Sequence, residues 1–227
     1  MEQATRWARR WIELSAQAIV ENREELSELD RHIGDGDHGE NLARGFRAIL
    51  ESGQVLAAQT GREVLQLTAK TLMFTVGGAA GPLYGTAYLH AAKAFPECLP
   101  TDSMPTNSPT GRLTSEAIVE IFTAAAEGIQ TRGKAKAREK TMVDAWLPAV
   151  AAARQAAAAG LSVPQTLWAA VDGANQGALS TIPLRATKGR ASYLGERSVG
   201  HLDPGAKSSA LIFKAAAQAA DIFEENQ

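Results

Sequence analysis

Apolar residues in this chain recur at three- and four-residue intervals almost from end to end, and nowhere alternate over the length of a strand. That spacing confines the fold to packed helices. Trp7, Trp11, Leu14 and Ala18 mark a first amphipathic segment, and Leu42, Phe46 and Ile49 a second. Val64, Leu65, Leu72 and Met73 give a third, ending before Gly77-Gly78. Pro82 suits a first helical turn, and Tyr84, Tyr88, Ala91 and Phe95 continue that fourth stripe. After a Pro/Ser/Thr-rich loop from Pro96 to Arg112, Ser115-Glu116 opens a fifth helix bearing Ile118, Ile121, Phe122 and Ala125. The sixth runs from Thr141 to about Ala159, with Pro148 as a kink candidate and Gly160 as its stop. Ser162 and Pro164 open the seventh, and Ala206 to about Glu224 is the eighth. Alanine-rich faces predict close approach of helix axes. No internal repeat or composition shift divides the chain, so residues 1–227 are expected to form one helical domain.

The densest chemistry lies between the first two stripes, in Asp30-Arg31-His32-Ile33-Gly34-Asp35-Gly36-Asp37-His38-Gly39-Glu40-Asn41. Carboxylate oxygens suit magnesium, whose shell is often completed by water and substrate phosphates. Glycines let the backbone approach a bulky ligand, and a helix opening at His38–Asn41 would turn free N–H groups toward an anion. An EF-hand does not fit: counting from Asp30, position six is Asp35 rather than Gly and position twelve is Asn41 rather than Glu. A solvated Asp/Gly turn is the plainer alternative. His32 and His38, with no cysteine nearby, suit hydrogen bonding better than zinc.

Two further stretches are ambiguous taken singly. Gly77-Gly78-Ala79-Ala80-Gly81-Pro82 can cradle phosphate before a helix, yet lacks the Lys-Ser/Thr of a P-loop and follows no strand. Lys188 to Gly205 carries Arg190 and Arg197, whose forks match phosphate, but on composition alone it reads as a solvated surface loop. Met142 and Trp146 fit a core better than a nucleotide platform.

Composition excludes several classes. A formal net charge of -2 without a basic run argues against nucleic-acid binding. One cysteine, Cys98, allows no intrachain disulfide and suits a reducing compartment. Residues 1–14 are too charged for a secretory leader, and the alanine-rich 147–161 run is too short and weakly apolar for a membrane span. A cytoplasmic protein without nucleic-acid or membrane contacts is expected.

Taken together, ELDRHIGDGDHGEN at 28–41, VGGAAGPLYGT at 76–86, RGKAKAREKTMVDAWLP at 132–148 and KGRASYLGERSVGHLDPGAKSS at 188–209 carry a resemblance that covers nearly the whole chain. The sequence resembles the nucleotide-binding L subunits of dihydroxyacetone kinases. The resemblance implies an all-α barrel of eight antiparallel helices with a nucleotide site at one end. It implies magnesium, two ions, held by Asp30, Asp35 and Asp37 beneath ADP or ATP. Nucleotide contacts would come from His38, Gly39, Glu40, Asn41, Ala79 and Ala80. Gly133, Met142, Arg190, Leu202, Asp203 and Pro204 would line the adenosine and phosphate end. It further implies a K-subunit partner holding the ketose covalently, a phosphotransferase-system M subunit as phosphoryl source in some systems, and a possible homodimer. No residue of this chain is then a nucleophile or base. The same resemblance leaves open a non-catalytic nucleotide sensor or regulator-binding module, and an acceptor such as erythrulose. Three departures stand out: Ala80 replaces a usual Ser, Lys207 replaces a smaller polar residue, and the 96–112 loop is longer than is common.

Overall fold

A computed structural model describes residues 3–96 and 112–224, and these contain helices without strands. Ten α-helices are present among them: α1 (Gln3–Glu21), α2 (Arg23–Ile33), α3 (His38–Glu51), α4 (Gln54–Ala57), α5 (Gly61–Thr75), α6 (Ala80–Ala94), α7 (Ser115–Gly133), α8 (Val143–Ala158), α9 (Val163–Ser180) and α10 (Pro204–Glu224). A 3-10 stretch, Arg190–Ser198, interrupted by Gly195 in a left-handed conformation, joins the last two. Most of the predicted 96–112 loop, with Cys98, lies outside the described residues.

Eight of these helices close a ring: α1 packs on α10, α10 on α9, and so on down to α5, which reaches α3, and α3 returns to α1. The expected eight-helix barrel is thus present. Direction can be read from contacts: Trp7 Nε1 donates to the Ala216 carbonyl at 2.9 Å and Trp11 Nε1 to that of Ile212 at 3.0 Å, so α1 and α10 are antiparallel. Between α8 and α9 the axes come very close. A Cβ on Gly177 would lie 2.1 Å from the Asp144 carbonyl oxygen, and one on Gly173 2.5 Å from that of Pro148. Pro148 has no N–H, so the Asp144 carbonyl loses its intrahelical donor, and this is the carbonyl that faces Gly177.

Aromatic rings fill the barrel. Trp7 stacks on Trp11 at 5.0 Å; Trp11 meets Tyr88 at 5.5 Å and Phe122 at 5.8 Å. Phe213 links Phe122 at 4.9 Å to Trp146 at 4.6 Å. These rings come from five helices, so the core binds non-adjacent parts of the chain; each buried ring removes 150–250 Å2 or so from water.

Three details differ from the sequence reading. The first segment is two helices, parted at Asn22, whose side-chain amide donates to the Ala18 carbonyl at 2.8 Å. The buried face of α1 is Trp7, Ala8, Trp11, Ile12, Ser15, Ala16 and Ile19, with Leu14 and Ala18 at its margin. Met73 is partly exposed, and Ala69 and Leu72 carry the α5 face instead. No helix among the described residues is long and apolar enough to cross a membrane.

Candidate functional site

The acidic loop joins α2 to α3 at one end of the barrel. Asp30 sits in the last turns of α2, and its Oδ2 accepts the backbone N–H groups of Asp37 at 2.9 Å and His38 at 3.2 Å. These donors are among the N–H groups left free where a helix opens. One carboxylate therefore fixes the loop and opens α3. Asp35 and Asp37 are exposed, and one oxygen from each of the three aspartates lies within 4.8 Å of the others. Burial, outweighing the two amide hydrogen bonds, raises the Asp30 carboxyl above its ordinary value, with Asp35 and Asp37 adding to the rise. Three hard oxygens this close repel one another, and a divalent cation relieves that repulsion. The donor set fits magnesium. Arg190 Nη2 lies 2.9 Å from Asp35 Oδ2 and supplies positive charge to the same cluster.

A cavity of about 190 Å3 opens beside the aspartates. Its wall includes His38 and Asn41 of α3, Gly77–Ala80 before and at the start of α6, Met142 before α8, and Asp203–Gly205 at the start of α10. Four helix N-termini converge there, each bringing the positive end of a dipole, although the first N–H groups of α8 are taken up by Thr141 and Met142. A second cavity of about 390 Å3 adjoins it and shares Ala79, Leu83, Thr141, Met142, Lys188 and Gly189. It is walled mainly by Pro82, Ile129, Gly133, Ala135 and Val143, an apolar surface wide enough for a flat ring system.

Most of the residues singled out in the sequence gather here, but not all in the same capacity. Asp30, Asp35, Asp37, His38, Asn41, Ala79, Ala80, Met142, Arg190, Asp203 and Pro204 line the first cavity, and Gly133 the second. Gly39, Glu40 and Leu202 line neither. Gly39 is the point where α3 crosses α2: a Cβ would fall 2.0 Å from the Arg23 carbonyl oxygen. Glu40 points outward to Arg23, 3.1 Å away. Leu202 packs on the small cluster of Ala145, Ala178 and Ala206. Lys207 pairs with Glu25 at 2.9 Å, tying α10 to α2. Met142 and Trp146 are both buried, as a core reading expects, although Met142 also faces both cavities.

Beneath the first cavity runs a buried polar chain. His38 Nε2 lies 2.9 Å from Ser208 Oγ, which meets the Tyr84 hydroxyl at 2.7 Å; that hydroxyl meets Ser209 Oγ at 3.0 Å, which accepts from Trp146 Nε1 at 2.9 Å. The Pro204 carbonyl also lies against the His38 ring and favours its charged form. Desolvation pulls His38 down to about 4, although its surface is only partly covered. Asp203 caps α10 by accepting from Ala206 N at 2.8 Å, with Pro204 at the first helical position. Burial pushes its carboxyl up to about 7. Lys140, Thr141, Lys188 and Gly189 also line the first cavity, and the sequence reading passed over them as site residues. Their signal was their place inside the two long matching motifs, without any local pattern of their own.

Comparison with known proteins assigns the class. Residues 32–218 match the DAK2 domain, and the chain belongs to that family. It is 42% identical over 212 residues to the ADP-binding subunit DhaL of PEP-dependent dihydroxyacetone kinase 1 from Listeria innocua, spanning 93% of this chain and 95% of that one. The corresponding subunit of Escherichia coli is 41% identical over 210 residues, 92% of this chain and 94% of the other. Identity at this level over nearly the full length of both partners places the chain among the dihydroxyacetone kinase L subunits. The L-erythrulose 1-kinase of Mycolicibacterium smegmatis is a more distant relative, 32% identical over 206 residues that make up 34% of its length. Among solved structures, the dihydroxyacetone kinase of C. freundii in complex with AMP-PNP and Mg2+ superposes with a TM-score of 0.63. At 24% identity, covering 93% of this chain and 33% of that one, the match supports the shared helical fold.

Proposed function

We propose that this chain is the donor-nucleotide subunit of a dihydroxyacetone-type kinase, holding magnesium and ADP or ATP while a separate K subunit presents the ketose. One observation carries the reading: three clustered carboxylates stand beside a cavity at which four helix N-termini converge. Asp30, Asp35 and Asp37 would hold the metal, whether one ion or two. Bound there, magnesium would neutralise charge on the phosphate oxygens. The Gly77–Ala80 backbone lines the same space as the start of α3, and Lys188 and Arg190 add positive charge to its wall. Phosphoryl transfer asks mainly for positioning and electrostatics, so a subunit of this kind needs no nucleophile of its own. Gly133 and Met142 flank the apolar cavity, which is suited to the adenine ring.

His38 contributes by locking α3 to α10, because its backbone N–H is held by Asp30 and its ring by Ser208. Lack of a hydroxyl at Ala80 leaves phosphate contact there to the backbone alone. The names of the Listeria innocua and Escherichia coli relatives favour a phosphotransferase-type phosphoryl source, hence an M-subunit partner, and a cytoplasmic setting suits that route. The chain would act as one unit over residues 1–227, alone or as a homodimer.

Titration calorimetry with magnesium and ADP tests the assignment. Binding is expected for the wild-type protein and should vanish in Asp35→Ala and Asp37→Ala; unaltered affinity in both would overturn it. Adding a K subunit should restore ketose phosphorylation. ADP retained through purification, read by mass spectrometry, distinguishes the phosphotransferase route from exchangeable ATP.

A further inference from the structure

Lys140 lies in the loop between α7 and α8 and is 1% exposed, an unusual place for an ammonium group. Its Nζ donates to the carbonyl oxygens of Thr181 at 2.6 Å, Ile182 at 3.5 Å and His201. An ammonium has three N–H donors, and here each has a carbonyl. Lys140 is therefore saturated and cannot also hold phosphate, although it lies at the cavity wall and is the kind of residue expected to do so. Thr181 and Ile182 follow the end of α9, where cations are favoured by the helix dipole, and His201 stands just before α10. One side chain thus gathers both ends of the α9–α10 connection.

Neighbouring bonds make the same junction. Gly200 N donates to the Ile182 carbonyl at 2.8 Å, Asp203 N to Thr181 Oγ1 at 3.0 Å, and Ala186 N to Ser198 Oγ at 2.9 Å. The Lys140 loop is itself fixed: the Asp144 carboxylate accepts from Thr141 N at 2.9 Å and from Arg138 N. Lys134, Arg138 and Lys140 all have positive φ, a conformation unfavourable for non-glycine residues that persists only where the surroundings impose it. The connection so held carries Lys188, Gly189, Arg190 and Ala191 of the cavity wall and ends in Asp203–Gly205 on its other side.

We propose that Lys140 is a positioning residue for the donor nucleotide, clamping the 181–203 connection so that Lys188, Arg190 and the start of α10 stay in place around the cavity. The proposal rests on the donor-nucleotide reading above. Lys140→Met keeps most of the buried stem and removes the three bonds. Magnesium–ADP affinity should fall roughly tenfold or more, since losing a charged donor's bonds to buried carbonyls typically costs more than one factor of ten. Mn2+ affinity of the three aspartates, measured without nucleotide, should not fall, because no Lys140 bond reaches them and the Arg190 guanidinium beside Asp35 opposes the ion. With a K subunit present, KM for nucleotide should rise while kcat holds, and trypsin should cut faster after Arg190 and Arg197. Wild-type ADP affinity in Lys140→Met overturns the proposal, as does an equal loss of Mn2+ affinity, which would mark general unfolding. Should the variant fail to fold, hydrogen exchange on the wild-type protein decides. The amides of Ala186, Gly200 and Asp203 should be protected as well as those within α9; exchange at open-loop rates overturns the clamp. If the wild-type protein itself binds no magnesium–ADP, the donor-nucleotide reading falls first; unchanged binding in Lys140→Met removes only the role of Lys140.

Discussion

Asp30 and its two neighbours look alike in sequence and differ in structure. Asp30 is buried and holds two backbone amides, whereas Asp35 and Asp37 are exposed. Asp30→Ala is therefore expected to cost about 1–3 kcal/mol of stability, the usual consequence of stranding buried donors, as well as metal affinity. Asp37→Ala should lose metal with little change in melting temperature, and thermal unfolding in chelator compares the two. Asp203 gives a pH signature. Its carboxyl titrates at about 7 in the fold and near 3.9 in the unfolded chain, so the folded state holds the proton more tightly. That contribution to stability is complete below about pH 4 and is lost as pH rises through about 7. Asp203→Asn retains an oxygen to cap α10 and cannot ionise. Without divalent cations, its melting temperature should gain on the wild type steadily between about pH 4 and 8; parallel profiles would show that Asp203 is not the group responsible. The three aspartates could be read from sequence because their chemistry is local. Lys140 could not: its carbonyl partners lie 41, 42 and 61 residues away, and nothing in a lysine's identity says that its charge will be spent on backbone.

At the scale of elements, the eight long helices were legible because each needs one apolar stripe against the barrel. What escaped were features set by neighbours. The break at Asn22 was hidden because apolar spacing runs on through it into Leu26. The 3-10 stretch escaped because its charged composition resembles a solvated loop, while Ala191 and Ser198 are in fact buried. Close packing of α8 on α9 makes a sharp prediction here. In Gly177→Ala the new methyl meets the Asp144 carbonyl, which belongs to backbone and yields only if the helices separate. Overpacking of this kind costs typically 1–3 kcal/mol. Because the Asp144 side chain anchors the 138–141 loop, nucleotide affinity should fall along with the urea midpoint. A drop in midpoint with unchanged affinity would separate helix packing from the site.

The barrel brings to one rim segments spread from Asp30 to Gly205, and sequence order gives no hint that they meet. Only the match of several motifs at once made the site readable. A ligand spanning that rim should couple the segments together. Saturating magnesium–ADP is expected to stabilise the whole fold by about 2.7 kcal/mol at a hundredfold excess over Kd, and to raise the single unfolding midpoint without splitting it. Differential scanning calorimetry with and without nucleotide checks both points.

The pairing of α1 with α10 has a consequence for the order in which the protein can be made. Trp7 and Ala216 are 209 residues apart, so α1 waits for α10 before the ring can close. Until then Phe122 has no Phe213 beside it, Trp7 and Trp11 lack their partners on α10, and an aromatic interior faces water. Contacts of such long range make closure slow. During synthesis the nascent chain is thus an open, sticky trough, and shielding that trough is the demand this fold places on the cell's folding machinery.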